Sequence, residues 1–257
     1  MTTRLKPDRY LELLQADGER LSAVARSSDL DAAVPTCPGW TVRDAVAHTA
    51  EVYQHKIACM RLQRRPEQSE WAHEAPGGDV VGWFDAGLKT LLDELRTRGP
   101  EAPAYTWWPP EQTVGFWYRR MAQETAVHRF DVESGTRELT PVADDLAVDG
   151  VDEVLVLMLS SEDWTDLEPD DWAGVSPEAG AGRSIAVRTG DSAWRVTLRP
   201  DRVDVLPDSV DGDALVTGEP SEVLLWLWGR RPDEAVRFGG DQGAIRALRD
   251  RISVATQ

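Results

Sequence analysis

The sequence is poor in positive charge. Among its 257 residues, 28 Lys and Arg stand against 45 Asp and Glu, which gives a formal net charge of −17. A chain this acidic is a poor candidate for binding the phosphate backbone of nucleic acid or an anionic lipid surface. We therefore expect neither nucleic acid nor a membrane among its partners, and a protein that is a monomer or a weak dimer.

Cysteines and long hydrophobic runs are also scarce. The two cysteines, Cys37 and Cys59, are too few for a disulfide framework, so reduced thiols are expected. No stretch approaches the roughly 18 consecutive apolar residues of a membrane-spanning helix, and the polar first ten residues carry no visible secretory signal. Together these absences predict a cytoplasmic protein.

Hydrophobic residues recur at helical spacing through the first half of the chain. Thr41 is expected to cap one of these helices, with Asp44 completing a capping box. Loops rich in Pro and Gly separate the helical stretches, and four helices joined in this way favour a helix bundle. The expected helices cover residues 8–26, 41–64, 80–98 and 113–134.

The second half changes character. Apolar and polar residues alternate in three short stretches, at 185–187, 194–198 and 203–205, which is typical of strands. Helical patterns surround them at 148–159, 219–229 and 241–252. The sequence thus predicts a four-helix bundle followed by a small α+β domain. The boundary is expected between residues 136 and 146, and we assign the domains to residues 1–140 and 141–257.

Two of the four histidines stand out by their positions on the expected helices. At about 100° per residue, His48 shares one stripe of its helix with Ala45, Val52, His55, Cys59 and Leu62; we take this stripe to face the core. On the fourth helix, Glu124 and His128 are neighbours one turn apart, with Trp117, Met121 and Asp131 on the same face and Arg120 beside them.

A carboxylate and an imidazole on a core-facing stripe need a partner, because burial of unpaired polar groups is costly. Two interpretations fit this pattern. Glu124 and His128 form a buried structural pair, with His48 an ordinary core histidine. Alternatively, all three bind a divalent metal, and three protein ligands would leave an open coordination position for catalysis. His55 and Cys59 lie too far along the helix to join the same ion.

Two segments carry a resemblance to a known family. Residues 34–48, Val-Pro-Thr-Cys-Pro-Gly-Trp-Thr-Val-Arg-Asp-Ala-Val-Ala-His, resemble the opening motif of the mycothiol-dependent maleylpyruvate isomerases. Residues 120–131, from Arg120 through Glu124 and His128 to Asp131, are similar to the second metal motif of that family. Trp194–Leu198, Asp213–Gly218 and Val223–Gly229 resemble the family's C-terminal domain.

This resemblance implies a DinB-like four-helix bundle and a sterol-carrier-like second domain. It also implies that His48, Glu124 and His128 hold Zn²⁺ or another divalent metal, and that mycothiol is the thiol cosubstrate. The implied activity is thiol addition to a small electrophile, either as cis–trans isomerisation of maleylpyruvate or as S-transfer. A metal hydrolase and a non-enzymatic binding module remain as alternatives.

Two further side chains are candidates for catalytic roles. Asp131 follows His128 by three residues, so its carboxylate either orients an imidazole or is purely structural. Arg120 either binds a substrate carboxylate through its planar guanidinium or forms a structural salt bridge.

Overall fold

The structure is a computed structural model, and it describes residues 4–73, 78–136, 138–162, 164, 175–176 and 178–256. The contacts of the described residues divide them into two compact units, residues 5–142 and residues 143–256 together with residue 4. As predicted from the sequence, four helices make up the first unit and a small mixed sheet with helices makes up the second. Each unit is described by itself.

The first unit is built from α1 (Pro7–Ser27), α2 (Val42–Leu62), α3 (Val80–Arg98) and α4 (Val114–Ser134). Thr41 caps α2, since its side chain accepts from the Asp44 amide while the Asp44 carboxylate accepts from the Thr41 amide. The Asp44 carboxylate also accepts from the Thr41 hydroxyl at 2.7 Å, and this bond, together with the one from the Thr41 amide, holds the pKa of Asp44 below its usual value. The predicted capping box is therefore confirmed, and it fixes where the chain enters α2.

The core of the bundle is mainly aliphatic and aromatic. Tyr53 on α2 is fully buried against Phe84 of α3, and its hydroxyl is 2.6 Å from the Thr125 hydroxyl on α4. Helix α4 is buried along almost its whole length. Its polar side chains are therefore held inside the protein, where they need partners.

The orientation predicted for α2 was wrong. Its buried face is formed by Val42, Val46, Ala50, Tyr53, Ile57 and Met60, and its centre lies roughly 140° from the expected stripe. Of that stripe, Ala45 and Cys59 are buried, but Leu62 is 39% exposed. The observed face carries more apolar residues than the expected stripe, and its side chains are bulkier. For this reason the observed face packs into the core. His48 consequently lies at the edge of the bundle.

A network of buried charges joins α1, α4 and the segment that follows α4. The Arg129 guanidinium donates to Asp17, to Glu133 and to the Thr140 hydroxyl, at 3.1, 2.9 and 2.7 Å. It also donates to the carbonyl oxygens of Thr140 and Pro141, at 2.5 and 3.1 Å. The Glu133 carboxylate in turn accepts from the Thr140 amide at 2.8 Å. The buried side chains of Arg129 and Glu133 thus each have several partners, as burial of a charge requires.

The second unit begins with α5 (Asp144–Asp152), which continues into a π-helical segment, Glu153–Leu159. The helix expected from residue 148 thus starts four residues earlier. Its first turn carries Asp144 and Asp145, which suit the positive end of a helix dipole. Among the described residues no helix is both long enough and apolar enough to span a membrane.

The described residues of the second unit include five strands, β1 (Ser184–Thr189), β2 (Ser192–Leu198), β3 (Val203–Pro207), β4 (Ala214–Gly218) and β5 (Arg237–Gly240). They form one mixed sheet in the order β3-β2-β1-β4-β5. Strands β1 and β4 are parallel, and the other neighbouring pairs are antiparallel. The three predicted strands are present, whereas the last two lack alternation and were missed. Helices α6 (Pro220–Leu227) and α7 (Gln242–Ala255) complete the unit.

Candidate metal centre

Helices α2 and α4 bring His48, Glu124 and His128 together. Glu124 Oε1 lies 3.5 Å from His48 Nε2 and 3.3 Å from His128 Nε2. One ligand atom from each residue lies within 4.8 Å of those of the other two. The three residues singled out in the sequence therefore converge on one place, although His48 and Glu124 are 76 positions apart in the chain (124 − 48).

The Glu124 carboxylate is shared between the imidazoles and Arg120. Its second oxygen, Oε2, accepts from Arg120 Nη2 at 2.6 Å, and the arginine side chain is only 5% exposed. Burial acts to raise the pKa of Glu124, but His128 and Arg120 hold it well below the usual range. Arg120 therefore keeps Glu124 ionised and fixes its orientation, with Oε1 toward the two histidines.

A second carboxylate lies behind His128. His128 Nδ1 is 3.0 Å from Asp131 Oδ2, and Asp131 Oδ1 accepts from the Thr36 hydroxyl at 2.7 Å. Burial disfavours the charged imidazole, but Glu124 and Asp131 together raise the pKa of His128 to about 9. Because a carboxylate accepts hydrogen bonds, it holds a proton on Nδ1. His128 Nε2 is thus the nitrogen available to a metal.

The site lies at the surface edge of the bundle, and not deep inside it as predicted. The side chains of His128 and Glu124 are 9% and 15% exposed, whereas that of His48 is 39% exposed. The Trp40 ring lies over both imidazoles, with its centroid 5.0 Å from that of His48 and 6.1 Å from that of His128. One side of the cluster is therefore covered, while solvent reaches His48.

The other predicted residues do not join the cluster. Among the described residues, the His/Cys/Asp/Glu group spaced to hold a metal consists of His48, Glu124 and His128. His55 instead contacts Lys56 and Trp71, and His73 is exposed in its loop. Cys37, in the loop before α2, is partly exposed.

Two residues near the site were missed by sequence reasoning, Thr36 and Lys56. Thr36 stands inside the Pro-Thr-Cys-Pro-Gly segment, but its hydrogen bond to Asp131 spans 95 residues of sequence. Lys56 lies in no recognisable motif. Only the rarity of lysine could have drawn attention to it, because the chain has only two other lysines.

The donor set fits a divalent transition metal. Two imidazole Nε2 atoms and one carboxylate oxygen form a set that zinc uses in catalytic sites, where a fourth position remains open. The hydrogen bond from His128 Nδ1 to Asp131 has the pattern that orients metal-binding histidines. In this structure His128 Nε2 faces Glu124 Oε1 as in an ion pair. Metal binding therefore requires that Nε2 first loses its proton.

Comparison with known proteins gives matches along most of the chain. Residues 11–133 match the family model described as mycothiol maleylpyruvate isomerase N-terminal domain. Residues 145–247 match that described as MDMPI C-terminal domain. No curated protein matches the chain.

Two solved structures, the isomerase and its mutant, show the same fold. A crystal structure of mycothiol-dependent maleylpyruvate isomerase aligns with a TM-score of 0.57 and 13% identity, covering 91% of this chain and 93% of that one. A mutant of that isomerase aligns equally well, with 12% identity. A UbiJ-SCP2 ubiquinone synthesis protein covers 41% of this chain with a TM-score of 0.29.

Proposed function

Because this chain belongs to the mycothiol maleylpyruvate isomerase family, we propose that it is a metal-dependent enzyme that activates mycothiol for addition to a small electrophile. The observation that carries the proposal is the convergence of His48, Glu124 and His128, with ligand atoms within 4.8 Å of one another. A divalent metal such as zinc, when bound there, lowers the pKa of a thiol so that the nucleophilic thiolate predominates at neutral pH.

The residues of the chain orient the reacting groups. Asp131 holds the Nδ1 proton of His128, and Thr36 holds Asp131, so the imidazole presents Nε2 in a fixed direction. Arg120 holds Glu124 by its other oxygen. Trp40 covers one side of the two imidazoles, which leaves access from the side where His48 is exposed.

We propose isomerisation or S-transfer as the reaction. In isomerisation, the thiol adds across a cis double bond, with the sulfur on one carbon and a proton on the other. The carbon–carbon bond, now single, rotates, and loss of the same sulfur and a proton releases the thiol and restores the double bond as trans. In S-transfer, the sulfur displaces a leaving group or opens an epoxide and stays on the product. Both reactions need the same thiol nucleophile.

Metal content and thiol binding test the proposal together. We expect the purified protein to bind about one zinc per chain and mycothiol to raise its melting temperature, because a ligand that binds the folded state stabilises it. The His48→Ala variant should lose both effects, whereas His73→Ala, a change of an exposed loop histidine, should keep them.

Two outcomes would contradict the proposal. If zinc binds but no thiol stabilises the protein, a hydrolase with a metal-activated water becomes the better interpretation. If neither zinc nor mycothiol binds under any condition, the site is a structural Glu–His pair and the chain is a binding module. Assays with maleylpyruvate and with an alkylating electrophile then separate isomerisation from S-transfer.

A further inference from the structure

The three lysines of this chain stand in different surroundings. Lys6 is exposed before α1, and Lys89 on α3 is exposed with Nζ 2.7 Å from Asp93. Lys56 on α2 is half-buried. Within the described part of the chain, no carboxylate lies within ion-pair distance of Lys56, so this amine lacks the partner that Lys89 has.

The Lys56 amine is held by an imidazole and an indole. Nζ lies 2.8 Å from His55 Nδ1 and 5.3 Å from the centroid of the Trp117 ring. Burial, with Lys56 and Arg65 nearby, lowers the pKa of His55 to about 4. His55 is therefore neutral at pH 7, and its Nδ1 accepts a hydrogen bond from the amine.

The surroundings disfavour the charged form of Lys56. Burial lowers its pKa, and the nearby Arg120 adds to that effect, while Glu124 and Cys59 oppose it without cancelling it. Desolvation of an ammonium group in this way is one means by which proteins make a lysine nucleophilic. Lys56 also stays partly exposed, which a small reagent needs in order to reach it.

We propose that Lys56 is a reactive amine that condenses with small aldehydes or ketones to form an imine, and that His55 is its positioning residue. The ammonium first loses a proton to solvent. The nitrogen lone pair of Lys56 then attacks the carbonyl carbon, and one N–H proton passes to the oxygen to give a carbinolamine. The second N–H proton is transferred to that oxygen as the carbon–oxygen bond breaks, so that water leaves and the carbon–nitrogen double bond forms. The condensation is reversible and consumes no oxidant or reductant.

The role of His55 in this reaction is to fix the amine. Its Nδ1 takes one N–H of Lys56, so the remaining positions on the nitrogen point away from the imidazole. A cavity of about 520 Å³ is lined by His55, Arg65, Pro66, Glu67, Gln68 and Trp71; it adjoins the positioning residue His55, while Lys56 is not among its lining residues. This activity is separate from the metal-dependent reaction proposed above, since none of its atoms comes from His48, Glu124 or His128.

Reductive trapping tests the proposal within a single sample. The full-length protein is treated with glyoxylate and cyanoborohydride, and peptide mass spectrometry gives the rate of labelling at Lys6, Lys56 and Lys89 separately. We expect Lys56 to react more than about threefold faster than Lys89 at pH 7, because the free-amine fraction rises as a lysine pKa falls. The advantage should shrink at pH 10, where exposed lysines also lose their protons.

Two variants make the result decisive. Lys56→Arg should abolish the fast label and leave the labels on Lys6 and Lys89 unchanged. His55→Ala should slow the labelling of Lys56 and of neither other lysine. The proposal is overturned if Lys56 reacts no faster than Lys89 at pH 7 in the folded parent. If His55→Ala labels at the parent's rate, the positioning role of His55 is wrong.

Discussion

Replacing Asp131 with Asn is expected to weaken zinc binding without unfolding the bundle. Asp131 is fully buried, and its two oxygens accept from the Thr36 hydroxyl at 2.7 Å and face His128 Nδ1 at 3.0 Å. Asn has the same shape but no charge, and one of its two polar atoms is a donor. The substitution therefore changes the hydrogen bonding of His128 while its packing is kept.

The size of the effect depends on which way the amide turns. If its oxygen faces His128 and its NH2 faces Thr36, which can accept through its hydroxyl, the proton stays on Nδ1 and only the charge is lost. If its NH2 faces His128, Nδ1 must accept, the proton moves to Nε2, and that nitrogen can no longer bind a metal. Loss of such outer hydrogen bonds costs about 10- to 100-fold in metal affinity, or roughly 1.4 to 2.8 kcal/mol.

Competition against a zinc-binding dye gives the affinity of each variant. Asp93→Asn is the matched control, because it makes the same charge change at an exposed residue that pairs with Lys89. Zinc affinity should fall for Asp131→Asn and remain at the parent's value for Asp93→Asn. Equal affinity in parent and Asp131→Asn, with both folded by circular dichroism, would refute the orienting role assigned to this carboxylate.

Four other predictions follow from the structure. His48→Ala should lower zinc affinity steeply while His73→Ala does not, as measured by metal analysis after dialysis. Thr36→Val should lower zinc affinity less than Asp131→Asn, by about tenfold or less, in the same dye competition. Gly240→Ala should destabilise the protein by roughly 1–2 kcal/mol in urea unfolding, since Gly240 has a φ of 73° and a Cβ there would meet the Asp213 carbonyl. His55 has a folded pKa of about 4 against an unfolded value near 6.5, so the unfolded state binds more protons between these values and stability should fall with acid across that window; His55→Gln should remove this part of the pH dependence.

The sequence predicted helices more reliably than strands. Long amphipathic stretches, the Thr41 capping box and the Pro- and Gly-rich loops between the helices gave α1 to α4 to within about two residues. The last two strands were missed because β4, Ala214–Gly218, does not alternate apolar and polar residues, and β5, Arg237–Gly240, contains two glycines and a single apolar side chain. Such strands are specified by their neighbours in the sheet, which a local pattern does not show.

The sequence predicted that His48, Glu124 and His128 converge, but it did not predict how exposed they are. Glu124 and His128 follow from i, i+4 spacing, and the motif ending at His48 supplied the third residue. The exposure of His48 did not follow, because two apolar series compete on α2 and the bulkier one, with Tyr53 and Met60, occupies the core. The role of Thr36 could not be predicted from the sequence, because its contact with Asp131 depends on how a loop folds back on α4.

The contacts of the buried Arg129 guanidinium also determine where the shortest fragment that contains the intact bundle must end. Its donors reach Thr140 and the Pro141 carbonyl, so the chain leaving α4 is fastened for several residues beyond the helix. Limited proteolysis should therefore spare these residues, and a recombinant fragment cut after Thr140 would lose one acceptor and gain a terminal carboxylate beside Glu133. We propose that the first domain, as an independently expressed protein, ends at or beyond residue 142.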